Sequence, residues 1–337
     1  MALSFESQQL LAPGGINDTR DTGPALAGYC NVLYAAWRGS GTDSSIWFSR
    51  TIDTAPGNSS TWDTPFQIHG AATSHRPAIV GFVSGDSKLP YILAIWKGKD
   101  DDQRLFYALL DVSTAGTSWT TPEVIPNGAT SAGPSLTLST AISGQIIYGA
   151  WKGEGTDERL FWSTFYWNPF SGGWTWDFTP DEYHTIPGAS SMGPSLQYYL
   201  GLVFAAWRGR DLDEGIWYST YDGKSWHAQQ NIPGTASSYG PSLAEVRGRL
   251  YAAWKGKSGD QSMWYTVYGQ NGFGPIGTTG KTQDIIQGTA SSIGPALVWW
   301  SSVPVGGEVP ADGVLLAWKG IESDTRMWFT LGIIGST

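Results

Sequence analysis

The chain has 337 residues and a formal charge of −9, with only 15% charged residues, 44 Gly, 19 Trp and one Cys. An acidic chain without a basic block is a poor match for phosphate backbones, so no nucleic-acid partner is expected, and no stretch reaches the ~18 consecutive apolar residues of a membrane span. Cys30 stands alone, which excludes an intrachain disulfide, and the turn-rich, aromatic-rich composition is that of a soluble β protein.

The first residues, MALSFESQQLLAPGG, contain no basic segment followed by an apolar run. No secretion signal is expected, and the expected location is the cytoplasm or release without a signal peptide. From Ala35 onward one phrase recurs six times: Ala-Trp-(Lys/Arg)-Gly in its usual form, three variable residues, Asp, two more residues, then an aliphatic residue or Met and an aromatic. The fullest copy is AAWKGKSGDQSMWY, Ala252 to Tyr265. The opening Trp is Trp37, Trp96, Trp151, Trp207, Trp254 and Trp318. A base follows each: Arg38, Lys97, Lys152, Arg208, Lys255 and Lys319. Six positions after the Trp stands Asp43, Asp102, Asp157, Asp213, Asp260 or Asp324, and ten positions after it Trp47, Phe106, Phe161, Trp217, Trp264 or Trp328.

A second phrase alternates with the first: Pro-Gly, small and hydroxyl residues, then Gly-Pro-Ser-Leu. It stands at Pro187–Leu196, Pro233–Leu243 and Gly288–Leu297, with looser copies at Asn127–Leu136, Gly70–Ile79 (Arg76-Pro77 in place of Gly-Pro) and Pro13–Leu26. Each unit then holds four strand-like runs: one opened by Pro-Ser-Leu, one running into the Trp, one after the Asp, and one carrying its own Trp, as in Asp222–Ile232. No segment keeps a helical period. A unit of about 56 residues is too small to bury its own apolar face, so six units predict one closed ring over residues 1–337. The expected fold is all-β, a six-bladed β-propeller of four-stranded blades.

The chain ends predict how the ring closes. The last unit stops after its third strand, near Trp328–Thr330, whereas Ser4–Gly14 (SFESQQLLAPG) matches the fourth run Ser225–Gly234 (SWHAQQNIPG), with Phe5 in the place of Trp226. The N-terminal strand is therefore expected to complete the last blade. Units three and six expand at Tyr166–Trp176 and Trp299–Val314, where protruding loops are expected.

In such a ring both repeated phrases emerge on one face. Aromatic rings offer platforms for the apolar C–H faces of a sugar, and the Asp and base offer an acceptor and donors for its hydroxyls. The candidate glycan-binding set is therefore Arg38, Asp43, Trp47, Lys97, Asp102, Phe106, Lys152, Asp157, Phe161, Arg208, Asp213, Trp217, Lys255, Asp260, Trp264, Lys319, Asp324 and Trp328. The competing structural reading gives the opening Trp to interblade packing, the Asp to its own turn and the base to the loop. His69, His75, His184 and His227 lack metal-ligand spacing, and Asp100-Asp101-Asp102 lacks the glycine of a calcium loop, so no metal or cofactor is expected. No Gly-x-Ser-x-Gly elbow is present.

On its repeat count, repeat length and closing N-terminus the chain resembles the six-bladed, Trp-rich β-propeller lectins of fungi and bacteria. The resemblance implies a non-catalytic protein with up to six sugar sites between blades and glycans as partners. Two alternatives stay open, because propellers host several functions. One is a sialidase- or glycosidase-like enzyme with a single central site, toward which Thr220–Trp226 (TYDGKSW) has a partial Asp-box likeness. The other is a protein-interaction scaffold.

Overall fold

The run before each Trp is short, apolar and rich in alanine because both of its faces are covered. A computed structural model describes residues 3–11, 22–51, 62–85, 87–113, 116–141, 144–177, 184–274, 281–301 and 312–334. In it, Leu33–Trp37, Leu250–Trp254 and Val314–Trp318 are buried throughout. These runs are the second strands of six antiparallel sheets, sandwiched by neighbouring sheets on either side. Alanine fits where the packed layers approach most closely.

The blades follow the chain. Blade 1 comprises Ala25–Tyr29, Val32–Arg38, Ser45–Arg50 and Phe66–Ala72. Blade 2 comprises Ala78–Val83, Pro90–Lys97, Arg104–Asp111 and Glu123–Ala129. Blade 3 has Ser135–Ala141, Gly144–Lys152 and Arg159–Asn168, its outer position shared by Gly173–Trp176 and Thr185–Ala189. Blade 4 has Ser195–Tyr199, Leu202–Arg208, Ile216–Tyr221 and Gln230–Asn231. Blade 5 has Ser242–Val246, Arg249–Lys255 and Ser262–Gly269, flanked by Gly272–Phe273 and Asp284–Ala290. Blade 6 has Ala296–Ser301, Asp312–Lys319 and Met327–Ile334. Each innermost strand neighbours the next, and the sixth neighbours the first, so the six blades form a closed ring. Among the described residues no helix is long and apolar enough to cross a membrane.

The N-terminal residues close that ring in the register read from the sequence. Leu3–Phe5 and Gln9–Leu10 both pair with Met327–Ile334. Leu10 lies opposite Trp328 as Asn231 lies opposite Trp217. Thr330 Oγ1 donates to the Glu6 carbonyl at 2.7 Å, just as Ser219 Oγ donates to the His227 carbonyl at 2.6 Å. The same hydroxyl bridge ties Ser49, Ser163 and Thr266 to the outer segments of blades 1, 3 and 5. It explains the small hydroxyl residue at this point of the third strand.

Gly-Pro-Ser-Leu has an equally specific role. Among the described residues the innermost strands of neighbouring blades are not paired in one sheet; the Ser supplies a link. Ser135, Ser195 and Ser242 each accept, through Oγ, the backbone N–H of the next blade's Leu196, Leu243 or Leu297, at 2.9, 3.0 and 3.0 Å. Of the two expanded stretches, the first is described throughout. Tyr166–Trp176 is a hairpin that continues the third strand, with Tyr166 paired to Thr175 and Phe165 to Trp176. In blade 6, Trp299 pairs with Val314 and Ser301 with Asp312, and residues 302–311 lie outside the described set.

Candidate functional site: the interblade clefts

Each Trp-base-Gly phrase turns from the second strand into the third around its Asp. In all six loops the Asp backbone N–H closes a turn onto the carbonyl three residues back, as from Asp260 to Lys257 at 2.9 Å. In all six the Asp Oδ1 accepts the N–H two residues on, from Ser45, Arg104, Arg159, Gly215, Ser262 or Arg326, at 2.8–3.1 Å. This is an Asx turn, which Asp favours because its short carboxylate reaches its own backbone. The carboxylate folds back over the glycine of the phrase, and a Cβ on Gly39, Gly98, Gly153, Gly209, Gly256 or Gly320 would overlap it.

The structure places the six bases inside these loops. Arg38, Lys97, Lys152, Arg208, Lys255 and Lys319 are only 2–9% exposed. Lys97 Nζ donates to the carbonyls of Gly98, Asp100 and Asp102 and to Ser74 Oγ, at 2.8–3.1 Å. Lys152 repeats the pattern on Gly153, Gly155, Asp157 and Ser131. Lys255 holds Gly256, Asp260 and Ser238, and Lys319 holds Gly320, Glu322 and Ser292. The two arginines do the same from a longer reach: Arg38 binds the carbonyls of Thr73, Gly39 and Gly41, and Arg208 those of Ser237, Gly209 and Asp211. Burial pushes Lys97, Lys152 and Lys255 below the usual lysine range, against the opposing pull of Asp102, Glu158 and Asp260 respectively. A base in this position gathers inward-facing carbonyls and pins the neighbouring hydroxyl-rich loop. Contact with a ligand would require it to abandon these bonds.

The opening Trp is also internal; none of the six is more than 4% exposed. It lies opposite the second aromatic across the second and third strands: Trp37 with Trp47, Trp96 with Phe106, Trp151 with Phe161, Trp207 with Trp217, Trp254 with Trp264 and Trp318 with Trp328. Every such pair packs against the preceding blade. Trp254 and Trp264 meet Ile216 and Ile232 of blade 4, and Trp318 and Trp328 meet Met263 and Ile286 of blade 5. The second aromatics are half-buried, apart from the buried Phe161.

Two different groups satisfy the outer oxygen of the Asp. In blades 1, 4 and 5 the indole Nε1 of Trp47, Trp217 or Trp264 donates to Oδ2 at 2.8–2.9 Å. In blades 2 and 3 the aromatic is Phe, and Arg104 or Arg159 grips Asp102 or Asp157 through Nε and Nη2 at 2.6–3.1 Å. Blade 6 has both donors: Trp328 Nε1 at 2.8 Å and the Arg326 guanidinium at 2.8 and 3.2 Å from Asp324. The arginines hold Asp102 and Asp157 below the usual carboxylate range. Arg326, with Trp328 after it, holds Asp324 down to about 2. Burial alone would raise Asp43 and Asp260; the indole and backbone N–H donors outweigh it and lower both.

Facing the aromatics of blades 2, 3, 4 and 6 is the outer strand of the preceding blade, which bulges where it passes. Register shifts occur between Trp47 and Ser45, Val124 and Ala129, Leu160 and Arg159, and Met263 and Ser262. Gly70, Asn127, Gly188 and Gly288 take positive φ at these bulges, and Gly234 does so in the turn after the outer strand of blade 4. A bulge re-aims the strand and opens a concavity beside it. The cleft between blades 1 and 2 has a volume of about 450 Å³ and is lined by His69, Gly70, Trp96, Asp102, Phe106 and Trp119 among others. The clefts are unequal. A Cβ on Gly188 would meet Trp207 and the Gln229 amide, and Gln283 Nε2 bonds the Gly234 carbonyl at 3.0 Å; Gly70 has no neighbour within 4 Å of such a position.

The ring axis offers a different space. A channel of about 590 Å³ runs between the innermost strands. At the face carrying the repeated loops the Gly-Pro segments meet. A Cβ on Gly133, Gly240 or Gly294 would lie 2.9, 3.0 or 2.7 Å from the carbonyl oxygen of Arg76, Gly193 or Gly240, and Gly193 meets the Gly133 carbonyl in the same way. Arg76, standing where other blades have glycine, spans blade 1 to the carbonyls of Pro295, at 2.9 Å, and Gly294. It is the one arginine lining the channel among the described residues. Thr220–Trp226 is a hairpin turn in which Asp222 Oδ1 accepts the N–H groups of Lys224 and Ser225 at 2.8 Å.

These features define a six-bladed β-propeller with the same Asp-anchored loop in each blade and a cleft between blades 1 and 2. No protein-family model matches the sequence, and no curated protein does. Among solved structures, a protein of unknown function from Dyadobacter fermentans aligns with a TM-score of 0.62 at 10% identity, over 99% of this chain and 100% of that one. The Aleuria aurantia lectin, solved with Fucα1-6GlcNAc, aligns with a TM-score of 0.63 at 14% identity, over 96% of this chain and 97% of the lectin. Trypanosoma rangeli sialidase aligns with a TM-score of 0.53 at 10% identity, over 98% of this chain and 60% of the sialidase. At these identities the likeness establishes the fold, which resembles that of the fungal propeller lectin.

Proposed function

We propose that the chain is a multivalent, non-catalytic carbohydrate-binding protein whose sites are the interblade clefts of one face. The observation that carries this reading is the recurrence in every blade of an aromatic ring beside an anchored Asp carboxylate, set opposite a bulged outer strand in blades 2, 3, 4 and 6. A sugar's apolar face can rest on the ring while its hydroxyls donate to the carboxylate and to backbone carbonyls of the bulge. In this reading Asp43, Asp102, Asp157, Asp213, Asp260 and Asp324 and the second aromatics touch ligand. The six buried bases keep the loops rigid, which lowers the ordering cost of binding. Several weak sites on one rigid face would engage a glycan-coated surface together, with avidity ~10²–10⁴ above a single site.

The fungal lectin, whose structure with Fucα1-6GlcNAc shares this fold over nearly its whole length, supports the same direction. The enzyme alternative draws less support, because Arg76 is engaged with backbone carbonyls at a mouth narrowed by glycine contacts. A glycan array with purified protein, followed by calorimetric titration of the best hit, tests the proposal. Selective binding of several sugars per chain is expected; no binding across a broad array would overturn it.

A further inference from the structure

The residue two places before the second aromatic differs between blades in a way that sorts the clefts. It is Ser45, Gly215 and Ser262 in blades 1, 4 and 5, and Arg104, Arg159 and Arg326 in blades 2, 3 and 6. Residues two apart on a strand share a face, so this side chain and the aromatic project toward the same cleft. The arginine lies over the ring: its guanidinium carbon is 5.2 Å from the Phe106 centroid, 5.1 Å from that of Phe161 and 4.8 Å from that of Trp328. It is fixed there by its bonds to the Asp carboxylate, with 57–65% of the side chain exposed at the surface of the loop. A Ser or Gly at the same position leaves the ring of Trp47, Trp217 or Trp264 without such a cover.

We infer that this position sets how many clefts hold sugar: Trp47, Trp217 and Trp264 are open platforms, whereas the arginines of blades 2, 3 and 6 act as lids that exclude a stacked pyranoside. The inference rests on the proposed carbohydrate binding and makes it threefold rather than sixfold. To stack on a covered ring, a neutral sugar would have to displace a guanidinium that is tied to the Asp carboxylate at two points and seated over the ring. Room alone does not compensate. The cleft at Phe106 is spacious, but its ring is the smaller Phe and carries Arg104. Blade 6 provides the decisive comparison. Its Asp324-Thr325-Arg326-Met327-Trp328 differs from Asp260-Gln261-Ser262-Met263-Trp264 of blade 5 only at the second and third residues, and Trp328 already bonds its Asp as Trp264 does.

The test counts occupied sites by native mass spectrometry and calorimetry, using the best-binding member of a panel of methyl glycosides of fucose, galactose, mannose and N-acetylglucosamine. Thermal melting verifies that each variant is folded. Wild type is expected to take three sugars, Arg326→Ser four, and Ser262→Arg two. Six sugars on the wild type, or a folded Arg326→Ser and a folded Ser262→Arg that both keep the wild-type count, would overturn the lid assignment and leave carbohydrate binding intact. Should Arg326→Ser fail to fold, Ser262→Arg decides alone. A wild type that binds none of these glycosides and nothing on the array would overturn the carbohydrate reading and the lid with it.

Discussion

The Asp260 carboxylate lies directly over Gly256, so closely that a Cβ on the glycine would overlap it. Gly256→Ala is therefore expected to force the Asx turn apart and to cost about 1–3 kcal/mol, the usual range for overpacking. Gly41 supplies the control. It has φ 56° and no neighbour within 4 Å of a Cβ, and Asp100 and Asp211 occupy the same place in their loops at φ 51° and 52°. Gly41→Asp should change stability by less than about 0.5 kcal/mol. Urea unfolding of the two variants separates steric crowding from backbone conformation.

Lys255 is a scaffold residue in its geometry, and its replacements should behave accordingly. Lys255→Met removes the donor for the Gly256 and Asp260 carbonyls and Ser238 Oγ. A loss of about 2–3 kcal/mol is expected, as for buried acceptors left unmatched. Lys255→Arg should retain most of the stability, because Arg38 and Arg208 fill the same position in blades 1 and 4. Denaturation midpoints compared at constant m-value provide the check.

Asp324 should titrate near pH 2, because Arg326 and then Trp328 donate to its ionised form. An unfolded Asp titrates near 3.9. The folded value is depressed, so the stabilisation is fully present above the unfolded value and is lost as pH falls through the folded one. The pair lies near the surface, where solvent screening keeps its contribution small. Carboxyl NMR should give a midpoint near 2 for the wild type and a higher one for Arg326→Ser. An unmoved midpoint would show that the guanidinium does not control this carboxylate.

Deleting residues 1–11 should cost far more than their number suggests. Leu3–Phe5 and Gln9–Leu10 cover the edge of Met327–Ile334, and Leu11, only 1% exposed, fills the core between blades 6 and 1. The truncated chain would expose a long apolar edge strand, a template for pairing with another copy. Light scattering after size exclusion should show self-association at concentrations where the full chain keeps a constant mass.

Much of this architecture was legible in the sequence because the repeat is long and its spacing unbroken. The ring, its four-stranded blades and the pairing of the N-terminal residues up to Leu10 with the last blade follow from comparing six copies. The burial of the opening Trp was one of two readings its spacing allowed. The fate of Arg38, Lys97, Lys152, Arg208, Lys255 and Lys319 was not legible, since a buried base and a ligand-facing one leave the same trace in a repeat. The contrast between Arg-x-Phe in blades 2 and 3 and Ser-x-Trp in blades 1 and 5 stands in the sequence, but its meaning depends on which carboxylate oxygen each side chain reaches. The outer-strand bulges left only a faint trace, the positive-φ Gly70, Gly188 and Gly288 two places after the buried Ile68, Ile186 and Ile286 in three of the units.

The double satisfaction of Asp324 by Trp328 and Arg326 gives the repeats a route of descent. A unit with Ser and Trp can acquire Arg first and exchange Trp for Phe later, and at no step does the carboxylate lose its partner. Duplicated units could in this way cross from one form to the other without passing through an unstable intermediate, and blade 6 stands at the midpoint of that path.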